Sequence, residues 1–187
     1  MRRRAAAALA TVAAATTVAA VSAAPQRDLL VRPGVSVGKI RLGMSEAQLR
    51  RAVGRPSYVV GRTRVFGGVR LEYQYGLNGE YSVVLRGRAG SPRVVSVATF
   101  LRRERLPNGI GVGSRPKQLR AAFGPRLRCT PYRTFVQQSR TYITGNSTCS
   151  VAGRTGATVF LLTLDPGYLT PAESDKARVI EVGVRTT

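Results

Sequence analysis

The sequence predicts an α+β protein: two tandem repeats, each a short helix (or helical hairpin) packed on an antiparallel β-sheet. Three observations predict it. First, residues 40–54 recur as residues 110–124 at a fixed offset of 70, with Ile40/Ile110, Leu42/Val112, Gly43/Gly113, Gln48/Gln118, Leu49/Leu119, Ala52/Ala122 and Gly54/Gly124 identical or nearly so. Self-similarity at a fixed period marks one structural unit built twice. Second, each copy carries an apolar stripe at helical spacing. Third, the stretch that follows the first copy alternates apolar and polar residues, as a half-buried strand does.

Residues 1–23 read as a secretory signal. Arg2, Arg3 and Arg4 make a basic start, residues 5–21 an apolar run, and Val21-Ser22-Ala23 a small-residue cleavage site. The alternative is an uncleaved anchor helix, although the run is Ala- and Thr-rich and only weakly apolar. No further long apolar run follows, so no stable transmembrane span is expected after removal of the signal. Residues 24–37, broken by Pro25, Pro33 and Gly34, are expected as an extended, exposed lead-in.

Repeat 1 covers residues 38–101. Gly43 allows a tight turn, and Ser45 with Gln48 three residues on forms a capping box that starts a helix. Leu49, Ala52 and Val53 make its apolar stripe; Gly54 and Pro56 end it. Residues 69–75 alternate strictly, with Val69, Leu71, Tyr73 and Tyr75 on one face. Asn78-Gly79 supplies a hairpin turn, and Tyr81, Val83 and Leu85 return on the same face. Residues 93–100 read as another strand, and residues 58–66 as a first one weakened by Gly61.

The linker, residues 102–108, is basic and then turns at Pro107-Asn108-Gly109. Repeat 2 covers residues 109–187 on the same plan. Pro116 opens its helix, where a missing N–H is harmless, and Leu119, Ala122 and Phe123 form its stripe. Residues 158–164 and 179–184 read as strands, the latter with Ile180, Val182 and Val184 inward. Arg93-Val94-Val95 matches Arg178-Val179-Ile180 at an offset of 85, so repeat 2 is longer by 15 residues in the Cys region and the loop 165–176.

Cys129 and Cys149 are the only cysteines, and in an exported chain such a pair reads as a disulfide. The alternative, a redox-active pair, usually needs closer spacing or an activating His, and the chain has no His. Export and a disulfide together place the protein outside the cytoplasm, secreted or associated with the cell envelope.

Gly43-Met44-Ser45, the helix with Gln48-Leu49, and Gly54-x-Pro56 resemble the repeat of the β-lactamase inhibitor protein family. They are also similar to the small outer-membrane assembly lipoproteins of the SmpA/OmlA type. The tandem layout, with Cys129 shortly after Gly124 and Cys149 beyond it, looks more like the inhibitor family, whose repeats each carry a disulfide. Val59 stands where repeat 1 would match Cys129, so a bridge there is absent. The acidic and aromatic hairpin loops of the inhibitors have no full counterpart, because residues 76–81 hold one acid and one aromatic among arginines. The resemblance therefore implies a non-catalytic binding module that contacts another macromolecule through its sheet or loops, rather than β-lactamase inhibition.

Chemistry is sparse. With no His and nine acids, no catalytic, cofactor-binding or metal-ligating set is expected. Glu72 and Glu80 are close enough in sequence to pair across a hairpin, but Glu72 is better read as facing solvent beside Arg70 or Arg86. Asp165, Glu173 and Asp175 do not match a calcium loop. The strongest remaining signal is charge: 30 Lys+Arg against 9 Asp+Glu, a net charge of +21. Arginine favours planar anions such as carboxylate and phosphate. The candidate binding surface is Arg62, Arg64, Arg70, Arg86 and Arg88, with Tyr58, Tyr132 and Tyr142 as stacking faces. Its expected partner is an unknown protein. The alternative is an acidic envelope polymer: teichoic acid, anionic lipid or nucleic acid. A third reading is that the arginine excess is compositional, because the Arg/Ala/Gly/Val bias also suits a GC-rich genome.

Overall fold

A computed structural model of the protein describes residues 30–137, 140–164 and 171–187. The signal segment, residues 24–29 of the lead-in and Asp165 lie outside the described residues, as does the side chain of Glu173. Residues 30–37 are not an exposed lead-in. Strands β1 (Val31–Arg32), β2 (Ser36–Val37) and β3 (Ile40–Arg41) form a small antiparallel sheet, and Val31, Ser36, Val37 and Ile40 are buried. The β1–β2 turn is tied to the far end of the chain. Gly34 N donates to Thr158 Oγ1 at 3.0 Å, and Thr155 Oγ1 donates to Gly34 O at 2.9 Å. Gly34 has φ 64°, and a Cβ there would meet the Gly156 carbonyl, so glycine is required.

Helix α1 (Glu46–Val53) starts where the capping box dictates: Ser45 N donates to Gln48 Oε1 at 2.8 Å and Gln48 N donates to Ser45 Oγ at 3.2 Å. It buries Leu49. Four strands follow: β4 (Tyr58–Val65), β5 (Gly68–Tyr75), β6 (Tyr81–Gly87) and β7 (Arg93–Thr99). Helix α2 (Pro116–Phe123) buries Leu119 and Phe123. After it come β8 (Arg128–Cys129), the hairpin β9 (Arg133–Gln137) and β10 (Arg140–Thr144), then β11 (Asn146–Ala152), β12 (Ala157–Thr163) and β13 (Arg178–Arg185).

The α+β expectation is corrected by this arrangement. The protein is mostly β: eight strands form one antiparallel sheet in the order β4-β5-β6-β7-β13-β12-β11-β8. The α-helices among the described residues are two elements of eight residues each. The two halves do not each own a sheet. Their last strands pair directly, with Thr99 opposite Val182 and Ser96 opposite Arg185. An unpaired edge leaves a row of N–H and C=O groups without partners, and this pairing removes two such edges at once.

One apolar cluster joins Leu49, Leu119 and Phe123 to Val83, Leu85, Val97, Phe160 and Val182. The linker joins it through Leu106, and the start of repeat 2 through Ile110 and Val112. A register shift between Leu161 and Leu162 turns Val179 rather than Ile180 into the core. Period-2 reading fails there because a bulge adds one residue to one strand. The disulfide forms: Cys129 and Cys149 stand opposite each other across β8 and β11, with hairpin β9–β10 between them in sequence.

Candidate binding face

The strict alternation of β5 and β6 gives the large sheet two unlike faces. Val69, Leu71, Tyr73, Tyr75, Val83 and Leu85 turn towards the core. Glu72, Gln74, Ser82 and Val84 turn the other way, as do the exposed Arg70 and Arg86. On the second half, Thr158, Phe160 and Leu162 face the core, while Ala157, Val159 and Leu161 face away. Strands β1–β3, both helices and the linker contribute their buried residues to the opposite side.

Register assembles this outward face. Val84 is opposite Ser96, and Ser96 is opposite Arg185, which is in turn opposite Ala157. Ala98 is opposite Gly183, and Gly183 opposite Val159. The middle is thus small and weakly apolar. A Cβ on Gly183 would stand 2.6 Å from Val97 O, so this position admits only glycine. The outward arginines fall in two groups. Arg70 is opposite Arg86 where β5 begins and β6 ends, while Arg128, opposite Ser150, and Arg185, at the end of β13, stand on the second half. A depression of about 800 Å³ opens there, lined by Arg126, Arg128, Ser150, Ala152, Ala157 and Arg185 among others. Towards the other end stands Glu181, opposite Leu161, whose carboxyl is pushed up by burial and which has no ion pair among the described residues.

The sequence-predicted surface does not stay together. Arg70 and Arg86 are on the outward face, and Arg70 Nη2 donates to Glu72 Oε2 at 3.1 Å. Glu72 therefore pairs with arginine and not with Glu80. Arg62 and Arg64 are opposite Leu71 and Val69, so they share the helix-side face. Arg62 lines a pocket of about 340 Å³ with Glu46, Arg50 and Tyr73. There Arg50 Nη2 donates to Glu46 Oε1 at 2.7 Å, and Tyr73 OH donates to the same oxygen at 2.9 Å. Burial pushes the Glu46 carboxyl up, but these hydrogen bonds and the charges of Arg50 and Arg62 outweigh it and hold it below its ordinary value. Arg88 sits in the β6–β7 loop, and Tyr58 is 63% exposed on the edge strand β4. Tyr132 is no stacking face: it packs on Leu164 and Ala177, and its hydroxyl is buried. Tyr142 is placed on β10 opposite Phe135, and its side chain lies outside the described residues. Arg126, Arg128 and Arg185 line the depression on the second half; their sequence positions fall in different elements, so only the strand order joins them.

One buried titratable group stands at the junction of the halves. Glu104 is fully buried; Tyr81 OH donates to its Oε1 at 2.6 Å, and its Oε2 has no hydrogen-bond partner among the described residues. Burial pushes its carboxyl above the ordinary range, against the hydrogen bond from Tyr81 and the charge of Arg103. The Tyr81 phenol is pushed up to about 12 by burial and then by Glu104. An acid with a raised folded pKa stabilises fully below its unfolded value and loses that stabilisation as pH rises towards the folded value. The melting temperature is therefore expected to fall from pH 4.5 upwards through this cause, with Glu181 acting in the same sense and Glu46 in the opposite one. Glu104→Gln keeps a neutral polar group at every pH and is expected to flatten the fall, the variant gaining on the wild type as pH rises. A variant whose melting curve tracks the wild type from pH 4 to 8 would refute this.

No family model matches the chain, and no curated protein does. Among solved structures, an extracellular protein containing a SCP domain from Bacillus anthracis str. Ames aligns at 12% identity and a TM-score of 0.45, over 78% of this chain and 44% of that one. This chain thus spans less than half the length of that protein. A likeness of that score carries no argument about fold or function. Independently of it, the disulfide is formed, and no helix among the described residues is long and apolar enough to cross a membrane.

Proposed function

We propose that the protein is an exported, non-catalytic binding module whose outward sheet face docks an acidic surface of another protein, at or outside the cell envelope. One observation carries the reading: the outward face of the eight-stranded sheet has a middle of Val84, Ser96, Ala98, Gly183 and Val159, flanked by the facing arginines 70 and 86 on one half and by a depression lined by arginines 128 and 185 on the other. Small, weakly apolar centres with a charged rim suit a protein surface. The arginine forks suit carboxylates. The resemblance of residues 43–56 to the inhibitor-type repeat points the same way.

The second reading, an acidic envelope polymer, draws on the net charge of +21. Salt separates the two, because polymer binding through many phosphates falls steeply with salt and a shape-matched protein interface does not. The test is capture of a partner from the native envelope fraction at low and high salt, with the wild type, the double variant Arg86→Glu/Arg185→Glu, and Arg51→Glu on the exposed side of α1. A discrete protein is expected to persist in high salt, to be lost from the double variant and to be kept by Arg51→Glu. Complete loss in high salt moves the assignment to the polymer; equal loss with Arg51→Glu removes the face from consideration.

A further inference from the structure

We propose that a second site, away from the docking face and independent of it, binds a phosphate monoester. A pocket of about 530 Å³ opens where β12 ends and β13 begins, walled by the linker and the entry to α2. That volume lies within the range of about 300–1,000 Å³ typical of small-molecule sites. Arg102, Arg105 and Arg178 line it, and none of its described lining residues is Asp or Glu.

Two of the guanidinium groups are already held in place. Arg105 Nη1 donates to Gly109 O at 2.8 Å and its Nη2 to Val112 O at 3.3 Å. Arg178 Nη1 donates to Lys176 O at 2.7 Å and to Ala177 O at 3.1 Å. Backbone carbonyls orient the forks without neutralising them. The ion pairs among the described residues engage Arg50, Arg70 and Arg120, so none of the three pocket arginines is matched by a carboxylate there. A guanidinium offers five N–H donors, so each keeps several for a ligand.

The wall adds neutral donors. Ser114 Oγ accepts from Gly111 N at 3.1 Å, and Gln118 Oε1 accepts from Arg115 N at 2.7 Å. Those bonds occupy the acceptor side of each group, and the hydrogen bonds among the described residues leave the Ser114 O–H and the Gln118 NH₂ unused. The pocket therefore presents donors and positive charge with no competing anion. Three like charges around one cavity repel, and a bound anion relieves that. A phosphate monoester carries close to two charges on three acceptor oxygens, which matches three forks better than a diester or a monocarboxylate. Because the forks are pre-oriented, less ordering is lost on binding.

The test is calorimetric titration of the purified chain with phenyl phosphate, diphenyl phosphate and benzoate, with Arg102→Met, Arg105→Met and the remote Arg88→Met as variants. Phenyl phosphate is expected to bind with a stoichiometry of one, and about tenfold or more tighter than the other two probes. Arg102→Met and Arg105→Met are each expected to weaken it about tenfold or more, the loss of one charged hydrogen bond. Arg88→Met should leave it unchanged. Arg102 is exposed and makes no described hydrogen bond, so its variant tests the site even if Arg105→Met fails to fold. Equal binding of all three probes, no binding of phenyl phosphate, a stoichiometry above one, or the same weakening by Arg88→Met would each overturn the proposal.

Discussion

Phe160→Ala lowers the unfolding free energy by about 3–5 kcal/mol. Phe160 is fully buried at the centre of β12, with its ring centroid 5.5 Å from that of Phe123 on α2. It joins the sheet to the second helix, and its neighbours on β11 and β13 are Cys149 and Val182. Those strands are pinned by hydrogen bonds on both sides, so they cannot collapse into the space left behind. The cavity therefore persists and the cost sits at the high end. Urea unfolding should show the midpoint falling with an unchanged slope. For a chain of this size each kcal/mol lowers the melting temperature by about 2–4 °C. A loss below about 1.5 kcal/mol would mean that α2 closes onto the sheet, and that the two are not rigidly held.

Cys129→Ser with Cys149→Ser costs about 2–5 kcal/mol, and its effect is local before it is global. The bridge closes a separation of 20 residues that contains the whole β9–β10 hairpin. It also clamps β8, an edge strand of two residues that pairs with β11 alone. So short a strand has little hold of its own, and without the bridge it rests on a few hydrogen bonds between Thr130 and β11. Hydrogen exchange is expected to rise first at Thr130, whose N–H donates to Thr148 O at 2.9 Å, and at Thr148, whose N–H donates to Thr130 Oγ1 at 2.9 Å. Exchange in β5 and β6 should stay slow. A uniform rise across the sheet would sink the idea of a local clamp.

These expectations rest partly on features visible in the chain itself. Ser45 and Gln48 are three residues apart and cap α1 with two mutual hydrogen bonds. Val69, Leu71, Tyr73 and Tyr75 alternate and are buried on one face. Cys129 and Cys149 are the sole thiols, and they bond. All of these depend on neighbours a few residues away, or on there being a single possible pairing.

What failed to show was whatever depends on distant partners. The α+β reading assumed that each half closes its own sheet, and nothing local announces that Ser96 will lie beside Arg185. Tyr132 looks like any surface tyrosine until Leu164 and Ala177 arrive against it. Arg62 and Arg64 read as partners of Arg70 and Arg86, yet the register of β4 on β5 sends the two pairs to opposite faces.

By itself, then, the sequence determined the capped helices, the alternating strands, the disulfide pairing and the large positive charge, because each is a matter of local geometry or of counting. The tertiary structure alone decided that β7 and β13 join two halves into one sheet, which arginines share a face, and which three surround the phosphate-sized pocket. Side chains of strands far apart in sequence become neighbours only through register, and register is chosen by how the whole core packs.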